Sequence, residues 1–390
     1  MDVNNILVTC PKACSGYLKR ELEELGYVVD REVAAGVFIR GDIADCMHLN
    51  LHLRTGLRVL WEVSSFAARD GEALYRRAVR LPWETWIPSK GYVSIISSIR
   101  NETIDNTQFA NLKLKDALVD RIRDKTGERP DSGNDNDKAV VFLYWHEEDV
   151  CIYLDTSGVP LSNRGYRVSP WKAPMRENLA ASVIAAMRWD RKSSFVNPMC
   201  GSGTLAIEAA LWAQGRPAGV MRENFAFMHL ENFDQRAFLD LKKEAENTGT
   251  HEVDLKIIAS DIDPEAIEAA RRNAEIAKVD HLIDFEVCDF RETDIPDTDS
   301  GVVVFNPEYG DRMGEEDELL EIYKEIGDLF KKRCAGYWGY VFTGNIPLGK
   351  RVGLRPKRKV PFYNGPIECR LFEYELYAGT RDPRKVNQES

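Results

Sequence analysis

Short apolar runs that end at polar turn residues recur in the second half of the chain. The run Val302-Val303-Val304-Phe305 leads directly into Asn306-Pro307-Glu308-Tyr309, which predicts a buried strand that stops at a turn. Earlier runs of the same kind stop at Asn197-Pro198, at Asp261 and at Asp289. Open α/β sheets bind their ligands beyond the carboxyl ends of their strands. We therefore expect these polar residues to meet along one edge of a sheet.

A glycine-rich turn follows Asn197-Pro198. Gly201 and Gly203 allow the backbone to bend tightly and to approach a ligand, and an apolar helix pattern begins after Thr204. The spacing, with Ala206 in the last position, also matches a dinucleotide-binding turn, but that turn requires an acidic residue about 20 residues further on. The next convincing strand ends only at Asp261, so an NAD-dependent oxidoreductase is a distant alternative.

The polar residues at the later strand ends suit a nucleoside and an amine. The carboxylate of Asp261 can accept hydrogen bonds from both ribose hydroxyls, although it could also simply precede the helix that Asp263 caps and Pro264 begins. Asp289, next to an aromatic ring, could accept from an adenine amine, or it could be an ordinary loop acid. Asn306-Pro307-x-Tyr309 could grip a planar amine, or it could be a plain strand-to-turn junction.

The first half of the chain alternates strands and helices in short segments. This pattern predicts two small α+β units, residues 1–55 and 56–160, and the second unit includes a helix capped by Asp70. Residues 129–138 are dominated by polar turn formers and predict a flexible loop. There is no internal repeat or low-complexity tract.

Composition narrows the class of protein. With 390 residues and 44% hydrophobic content, the chain can form two or three domains. No apolar run approaches the ~18 residues of a membrane span and no secretory pattern is visible, so we expect a cytoplasmic protein with no membrane partner. Eight scattered cysteines without a Cys-x-x-Cys pair predict reduced thiols. His48 and His52 could bind a metal ion by their spacing, but packing on a helix is the favoured interpretation, and no metal site is expected.

A net charge of −11 excludes a protein that is cationic overall, so any nucleic-acid binding must use local basic patches. The denser patch, near the C-terminus, is centred on Lys357, Arg358 and Lys359. A second patch contains Arg164, Arg167 and Lys172. The alternative for each patch is a solvated charged surface.

Together these features resemble the class I S-adenosylmethionine-dependent RNA methyltransferases that carry an N-terminal THUMP domain. Within them, the chain is similar to the bacterial guanine-N2 methyltransferases of 23S ribosomal RNA. The resemblance covers nearly the whole chain. It rests on Cys200-Gly201-Ser202-Gly203-Thr204, on Asn306-Pro307-x-Tyr309, and on blocks such as Ala173-Pro174-Met175-Arg176-Glu177-Asn178 and Tyr363-Asn364-Gly365-Pro366-Ile367-Glu368.

The resemblance implies an α/β protein with several domains. These are a ferredoxin-like α+β unit at 1–55, a THUMP RNA-binding domain at 56–160, a Rossmann-like class I methyltransferase domain at 161–384 and a tail at 385–390. The implied cofactor is S-adenosyl-L-methionine, and the implied partner is RNA, ribosomal RNA first. The implied RNA-binding residues are the six of the two basic patches, and the oligomeric state stays open.

The same resemblance implies roles for individual residues. In the catalytic set Asn306, Pro307 and Tyr309, the Asn side chain and the proline carbonyl hold an exocyclic base amine while the ring stacks on the base. The implied cofactor-binding residues are Asn178, Asn197, Pro198, Cys200, Gly201, Ser202, Gly203, Thr204, Asp261, Ile262, Asp289, Phe290 and Asn306.

Two residues depart from the family pattern. Asn197 stands where an aspartate is usual, so it can form a hydrogen bond but no ion pair with the ammonium group of the cofactor's methionine moiety. Glu308 stands where a second proline is usual, which frees the backbone and adds a carboxylate. The alternatives are a transfer-RNA guanine-N2 methyltransferase, an adenine-N6 methyltransferase of DNA, and a non-catalytic RNA-binding or ribosome-assembly factor with a decayed site.

Overall fold

The computed structural model describes residues 3–101, 106–169, 171, 174–248, 253–298, 300–308 and 316–377. Strands and helices alternate through these residues and are numbered along the chain. Up to residue 186 they are β1 (Asn4–Thr9), α1 (Ser15–Glu24), β2 (Val29–Val33), β3 (Gly36–Gly41), α2 (Ile43–His52), β4 (Arg58–Ala67), α3 (Gly71–Ala78), β5 (Tyr92–Arg100), α4 (Thr107–Thr126), β6 (Asp131–Gly133), β7 (Ala139–His146), β8 (Asp149–Asp155) and α5 (Glu177–Ala186). From residue 194 they are β9 (Ser194–Pro198), α6 (Thr204–Ala213), α7 (Gln235–Asn247), β10 (Ile257–Asp261), α8 (Pro264–Ala277), β11 (Ile283–Val287), β12 (Gly301–Phe305), α9 (Glu316–Arg333), β13 (Tyr337–Thr343), α10 (Ile346–Gly349), β14 (Arg358–Asn364) and β15 (Ile367–Glu375).

The chain forms two compact units. The first contains residues 1–165, 177–182 and 215–251, and the second contains residues 166–176, 183–214 and 252–390. Residues 215–251 therefore belong with the N-terminal part of the chain, a grouping that the pattern of the sequence did not predict.

An eight-stranded mixed sheet forms the first unit, with the order β2-β3-β1-β4-β8-β7-β5-β6. The helix predicted after Asp70 is present as α3, and Asp70 Oδ1 accepts a hydrogen bond from the Ala73 amide at 2.8 Å. The prediction of a flexible loop at residues 129–138 was wrong in part, because Asp131–Gly133 form β6 and pair in parallel with β5. Polar residues suit this position because β6 is an edge strand.

Arg222 explains why part of the 215–251 segment belongs to the first unit. This arginine is 6% exposed, and its guanidinium donates to the carbonyls of Ser157 at 3.1 Å, Val159 at 2.9 Å and Pro160 at 3.0 Å. Burial lowers the pKa of Arg222 to about 10, and the neighbouring Arg164 lowers it further in the same direction. One buried cation thus satisfies three backbone carbonyls of the segment that follows β8.

A seven-stranded sheet forms the second unit, with the order β11-β10-β9-β12-β13-β15-β14. The first five of these strands are parallel, and β15 and β14 are antiparallel additions. From β9 the chain proceeds to β10 and β11 on one side, whereas β12 and β13 lie on the other. In such sheets a crevice opens where the strand order reverses, so the ends of β9 and β12 are the expected place for a ligand.

Helices α8 and α9 cover this sheet through different kinds of side chain. On α8 the predicted alanine face is confirmed, because Ala266, Ala269, Ala270, Ala274 and Ala277 are buried. Helix α9 instead buries large side chains in the core that contains the β12 strand, among them Tyr323, Ile326 and Phe330 packed with Val303 and Phe305. The short alanine side chains let α8 approach closely, and the bulky face of α9 fixes the strand that leads to Asn306.

Candidate functional site

A cavity of about 470 Å³ lies in the second unit beyond the carboxyl ends of the central strands. It brings together residues from the four predicted strand ends, Asn197, Asp261, Asp289 and Asn306. The predicted site residues that line it are Asn197, Cys200, Gly201, Ser202, Thr204, Asp261, Ile262, Asp289, Phe290, Asn306 and Pro307. Tyr309 lies outside the described residues.

The turn after β9 forms the floor of the cavity. Gly201 and Gly203 have φ values of +55° and +78°, which side-chain-bearing residues rarely adopt. Gly203 precedes α6, and a Cβ atom there would lie 2.9 Å from the Cβ of Ala270 on α8. Gly203 and the buried Pro198 thus shape the turn without lining the cavity. Burial raises the pKa of the Cys200 thiol well above its ordinary value, so Cys200 is a neutral wall residue.

Asn197 lines the cavity and carries a buried acceptor atom. The residue is 1% exposed, and its Nδ2 donates to the Val304 carbonyl at 3.0 Å and to the Pro198 carbonyl at 3.4 Å. These two donations set the orientation of the amide, because Oδ1 would be repelled by either carbonyl oxygen. Oδ1 is buried and has no hydrogen-bond partner among the described residues. A buried acceptor of this kind costs free energy unless a ligand donates to it.

Asp261 stabilises the glycine turn. Its Oδ2 accepts from the Gly201 amide at 2.9 Å, and its Oδ1 accepts from the Asp263 amide at 3.0 Å. Each carboxylate oxygen has a second lone pair, so both can still accept from a diol. Ile262 follows and is 70% exposed, which leaves an apolar surface beside the carboxylate for a flat ring.

Arg291 donates hydrogen bonds to both carboxylate oxygens of Asp289. Its backbone amide and Nε donate to Asp289 Oδ1 at 2.9 and 2.7 Å, and its Nη2 donates to Oδ2 at 2.5 Å. Hydrogen bonding from Arg291 holds the pKa of Asp289 below its ordinary value. Nη1 of the same arginine donates to Glu325 Oε1 on α9 at 2.9 Å. The charges at this end of the cavity are therefore linked, which the position of Asp289 in the sequence did not suggest.

The described residues of the Asn306 turn also line the cavity. Asn306 is half-buried, Pro307 is buried, and Glu308 is exposed. The preceding Phe305 packs edge-on against Phe290, with ring centroids 5.7 Å apart. This contact joins the end of β12 to the residue that follows Asp289, so the residues before Asn306 and after Asp289 pack against each other.

The cavity is acidic. Among its described lining residues are five carboxylates, those of Asp261, Asp263, Asp289, Glu308 and Glu325, and a single cationic side chain, Arg291. A low-dielectric cleft with a surplus of one sign attracts ligands of the opposite sign. The site is thus suited to a ligand that carries positive charge.

Several lining residues were not predicted from the sequence. They include Trp171, Met175, Met199, Leu319, Ile322, Arg291 and Glu325. The apolar ones resemble ordinary core positions in sequence, and the α9 residues follow the Asn306 turn at helical spacing without any motif. Arg291 lies two residues after Asp289, a predicted site residue, and this spacing is the signal from which its place in the site could have been predicted.

Asn178, which is predicted to bind the cofactor, is not among the described residues that line the cavity. Asn178 lies on α5 in the part of that helix that belongs to the first unit, is fully buried, and donates to the Gly56 carbonyl at 3.4 Å.

The structure buries Arg164, which is predicted to bind RNA. Arg164 is 1% exposed, and its guanidinium donates to the carbonyls of Leu161 at 2.7 Å and of Leu53 and Arg54. A buried arginine committed to backbone acceptors does not reach a phosphate. Arg167 is half-buried and donates to the Met175 carbonyl at 2.8 Å and to Thr204 Oγ1 at 3.1 Å, and Lys172 lies outside the described residues.

The C-terminal patch is partly structural. Arg358 donates to both carboxylate oxygens of Glu373, which is fully buried, and to the Ala186 carbonyl at 2.9 Å. Arg358, which is predicted to bind RNA, is thus also the counter-ion of Glu373. Lys357 pairs with Glu375 at 2.7 Å, and Lys359 lies 5.8 Å from the Phe372 ring centroid. Both lysines are exposed.

The histidine pair packs as expected. His48 and His52 stack on α2 with centroids 4.1 Å apart, and burial lowers the pKa of each. Among the described residues, no group of three or more His, Cys, Asp or Glu side chains is arranged to hold a metal ion. No helix within the described ranges has the length and apolar content needed to cross a membrane.

The second unit has a parallel sheet whose strand order reverses, a glycine turn after the first strand β9, and acidic residues after the next two strands. These features define a Rossmann-like domain of the kind that binds a nucleoside-containing ligand. The chain belongs to the RMKL-like methyltransferase domain family, whose profile matches residues 164–373. An RlmL ferredoxin-like domain matches residues 5–60, and a THUMP domain matches residues 68–155. The fold class predicted from the sequence is thereby confirmed.

Two curated relatives of this chain carry the same name. A "Ribosomal RNA large subunit methyltransferase K/L" from Syntrophotalea carbinolica is 34% identical over 380 residues, which are 94% of this chain and 53% of the relative. The protein of the same name from Psychromonas ingrahamii is 36% identical over 370 residues, 94% of this chain and 49% of the relative. The chain thus spans about half the length of the curated relatives it matches.

Solved structures share the complete fold. A possible methylase from Clostridium difficile 630 has a TM-score of 0.87 at 29% identity, covering 98% of this chain and 100% of that one. A predicted N6-adenine-specific DNA methylase from Listeria monocytogenes has a TM-score of 0.87 at 28% identity, covering 97% of each chain. SMU.472, solved in complex with SAH, has a TM-score of 0.87 at 25% identity, covering 98% of this chain and 100% of that one.

Proposed function

We propose that this protein is an S-adenosylmethionine-dependent RNA methyltransferase that modifies an exocyclic base amine, namely guanine N2 of 23S ribosomal RNA. The observation that carries the proposal is one cavity lined both by the glycine turn with its two acids and by Asn306 and Pro307. A cofactor site and an amine-holding turn thus share one space, as methyl transfer between two bound molecules requires.

The cavity residues fit the cofactor. The buried Oδ1 of Asn197 is an acceptor for the ammonium group of the methionine moiety, and the second lone pairs of Asp261 are acceptors for the ribose hydroxyls. The carboxylate of Asp289 is an acceptor for the adenine amine, and Ile262 offers an apolar face to the ring. The surplus of carboxylates suits a sulfonium cation. The neighbour solved with SAH supports the same assignment.

S-adenosylmethionine supplies an electrophilic methyl group on a sulfonium centre. The residues of the Asn306 turn have to prepare the acceptor, because an exocyclic amine delocalises its lone pair into the base. Asn306 Oδ1 and the Pro307 carbonyl each accept one N–H, which directs the lone pair toward the methyl group. Alignment of this kind can supply roughly 7–11 kcal/mol of a barrier. Tyr309 adds stacking on the base, typically about 1–3 kcal/mol, and Glu308 or solvent accepts the proton that the nitrogen releases.

The N-terminal part of the chain favours RNA as the substrate. A THUMP domain matches residues 68–155, and relatives over this length are named for the large-subunit ribosomal RNA. A base must leave its stack to reach such a cavity, which favours an unpaired or extruded nucleotide. Since the chain is acidic overall, RNA is held by local patches, in which Arg167, Lys172 and the exposed Lys357 and Lys359 remain the proposed residues.

The test is methylation of RNA and DNA from a strain that lacks the protein, with labelled cofactor and nucleoside analysis. We expect N2-methylguanosine in 23S ribosomal RNA. Label in transfer RNA, or N6-methyladenine in DNA, would replace the proposed substrate with one of the alternatives. A purified protein that shows no affinity for S-adenosylmethionine by calorimetry would leave the non-catalytic assembly factor.

Asn306→Ala tests the amine-holding turn. We expect it to lower kcat by at least about a hundredfold, because one of the two acceptors is lost, while the affinity for the cofactor changes less. Full turnover by this variant would exclude the proposed role of Asn306. A Glu308→Pro variant separates two roles for Glu308, since unchanged turnover makes it a spacer and a large change makes it a determinant of how the base is seated.

A further inference from the structure

Arg291 lies in the wall of the cavity, with a side chain that is 55% exposed and bonded to two carboxylates. Its guanidinium donates to Asp289 through Nε at 2.7 Å and Nη2 at 2.5 Å, and to Glu325 on α9 through Nη1 at 2.9 Å. Its carbonyl accepts from Arg333 Nη1 at 2.5 Å, also on α9. Side chain and backbone are thus anchored to the same helix, and the planar guanidinium has a defined orientation toward Asp289.

The hydrogen bonds of Asp289 leave the carboxylate with a defined acceptor capacity. Oδ1 accepts from the Arg291 amide and from Nε, which uses both of its lone pairs. Among the described residues Oδ2 accepts only from Nη2, so one lone pair remains. The side chain is 24% exposed and lines the cavity. The site therefore offers one oriented acceptor here instead of a freely rotating carboxylate.

Without Arg291 this end of the cavity would behave differently. Asp289 could rotate about its side-chain torsions, and Asp289 and Glu325 would no longer share a counter-ion. Arg291 also lowers the pKa of Asp289, which keeps the group ionised and acceptor-only. Glu325 and Arg333 from α9 also bond to Arg291, and among the described residues Arg333 donates no hydrogen bond to Asp289 in place of Arg291.

We propose that Arg291 is a positioning residue that orients Asp289 so that its remaining acceptor selects the 6-amino group of the cofactor's adenine. This inference rests on the proposed use of an adenosine-containing cofactor. The residue determines specificity for the base without contacting the methyl group, so its effect is confined to the adenine end of the site.

The test compares two ligands that differ only in the amine. Calorimetry measures the Kd of S-adenosylhomocysteine and of its analogue with an unsubstituted purine base, for the wild type and for Arg291→Ala and Arg291→Gln. In the wild type we expect the amine to improve affinity about tenfold, which corresponds to about 1.4 kcal/mol. In both variants we expect this ratio to fall below about threefold, mainly because affinity for the amine-bearing ligand is lost.

Arg272→Ala is the matched control. Arg272 also forms an ion pair in the second unit, with Glu268 at 2.9 Å, and it does not line the cavity. The control should keep the wild-type ratio. Thermal unfolding identifies a variant that has lost its fold, and Arg291→Gln, which keeps most of the aliphatic stem and has a neutral amide in place of the cation, then carries the test.

The outcomes separate this inference from the proposed function. A wild type that binds neither ligand would refute the cofactor assignment itself. A wild type that binds S-adenosylhomocysteine but shows no preference for the amine, or variants that lose affinity for both ligands equally and keep the tenfold ratio, would overturn the role of Arg291 alone. Equal losses would mean that Arg291 only stabilises the cavity wall.

Discussion

Replacing Asn197 by aspartate tests how the amide of this residue is used in the cavity wall. In the wild type, Nδ2 donates to the Val304 carbonyl at 3.0 Å in a site that is 1% exposed. Aspartate has the same shape but no donor in its ionised form, so a carboxylate oxygen would face the carbonyl oxygen. Only the protonated acid could restore the hydrogen bond. The substitution also recreates the residue that is usual in the family at this position.

The expected cost follows from burial. Leaving the Val304 carbonyl without its donor costs about 1–3 kcal/mol. Burial and the facing carbonyl both raise the pKa of the new carboxyl group, and each unit of increase corresponds to about 1.4 kcal/mol. An acid whose pKa is raised in the folded state destabilises the protein above its unfolded pKa of about 3.9, and the cost grows until the pH passes the folded value. We expect Asn197→Asp to lower the free energy of unfolding by about 3 kcal/mol at pH 8 and by much less near pH 4.

The assay is thermal unfolding of Asn197→Asp and wild type between pH 4 and pH 8, with and without S-adenosylmethionine. Saturating cofactor should reduce the difference in unfolding temperature between Asn197→Asp and wild type at pH 8, because the ammonium group of the cofactor compensates the buried charge. Asn364→Asp is the control. Asn364 is partly exposed at the turn between β14 and β15, and aspartate is as acceptable as asparagine in turns, so the same added charge should have little effect.

The reasoning fails if Asn197→Asp is as stable as wild type at pH 8 without ligand. It also fails if the destabilisation is independent of pH, because the effect would then not arise from a buried carboxyl group. A cofactor affinity that falls by more than tenfold would contradict the role of the Oδ1 acceptor, since aspartate retains an acceptor and adds attraction.

Three further predictions concern the turn, the basic patch and the catalytic end. Gly203→Ala should lower the unfolding temperature and weaken cofactor binding, because a positive φ costs a side-chain-bearing residue about 1–2 kcal/mol and the new Cβ would lie 2.9 Å from Ala270. An added Ala270→Gly change should recover only the steric part, and full recovery would exclude the backbone strain. Arg358→Ala should destabilise the protein by about 2 kcal/mol, less than for a fully buried pair, because Arg358 is partly exposed and Arg188 also pairs with Glu373. Burial alone would raise the pKa of Glu373, but the hydrogen bonds and charges of both arginines outweigh this effect and hold the pKa below 4.5. The difference in free energy of unfolding between wild type and Arg358→Ala, measured in denaturant titrations, should therefore shrink as the pH falls below that value. Glu308→Gln should change kcat by less than about threefold if solvent can accept the proton, and a loss of a hundredfold in single-turnover assays would make Glu308 the base.

Features governed by neighbouring residues could be predicted from the sequence. The cap of α8 at Asp263, its first residue Pro264 and its alanine face depend on spacing within one helix, and each is present. The four strand ends were identified because an apolar run that meets a polar turn residue has few other conformations. The methyltransferase and THUMP assignments rest on motifs of this local kind and are confirmed by the family matches.

Features that depend on a distant partner could not be predicted in this way. In the sequence, Arg164 and Arg358 look like other arginines of basic patches. In the structure, Arg164 is buried among backbone carbonyls, and Arg358 is paired with Glu373. The burial of Arg164 and the pairing of Arg358 depend on which strands and loops lie next to them, and residue spacing carries no record of that. The same holds for residues 215–251, whose place in the first unit depends in part on Arg222 and the carbonyls after β8.

The sequence by itself determined which residues stand at the strand ends of the second sheet, because period and turn chemistry are local properties of the chain. Only the tertiary structure decided how those residues are used. The strand order brings β9 next to β12, so that Asn197 donates to Val304 and its buried Oδ1 has no hydrogen-bond partner among the described residues. Helix α9 brings Glu325 to Arg291, and Arg291 in turn orients Asp289. Hydrogen bonds between elements act over a few ångströms in space, whatever the distance along the chain, and that is why the fold was needed to see them.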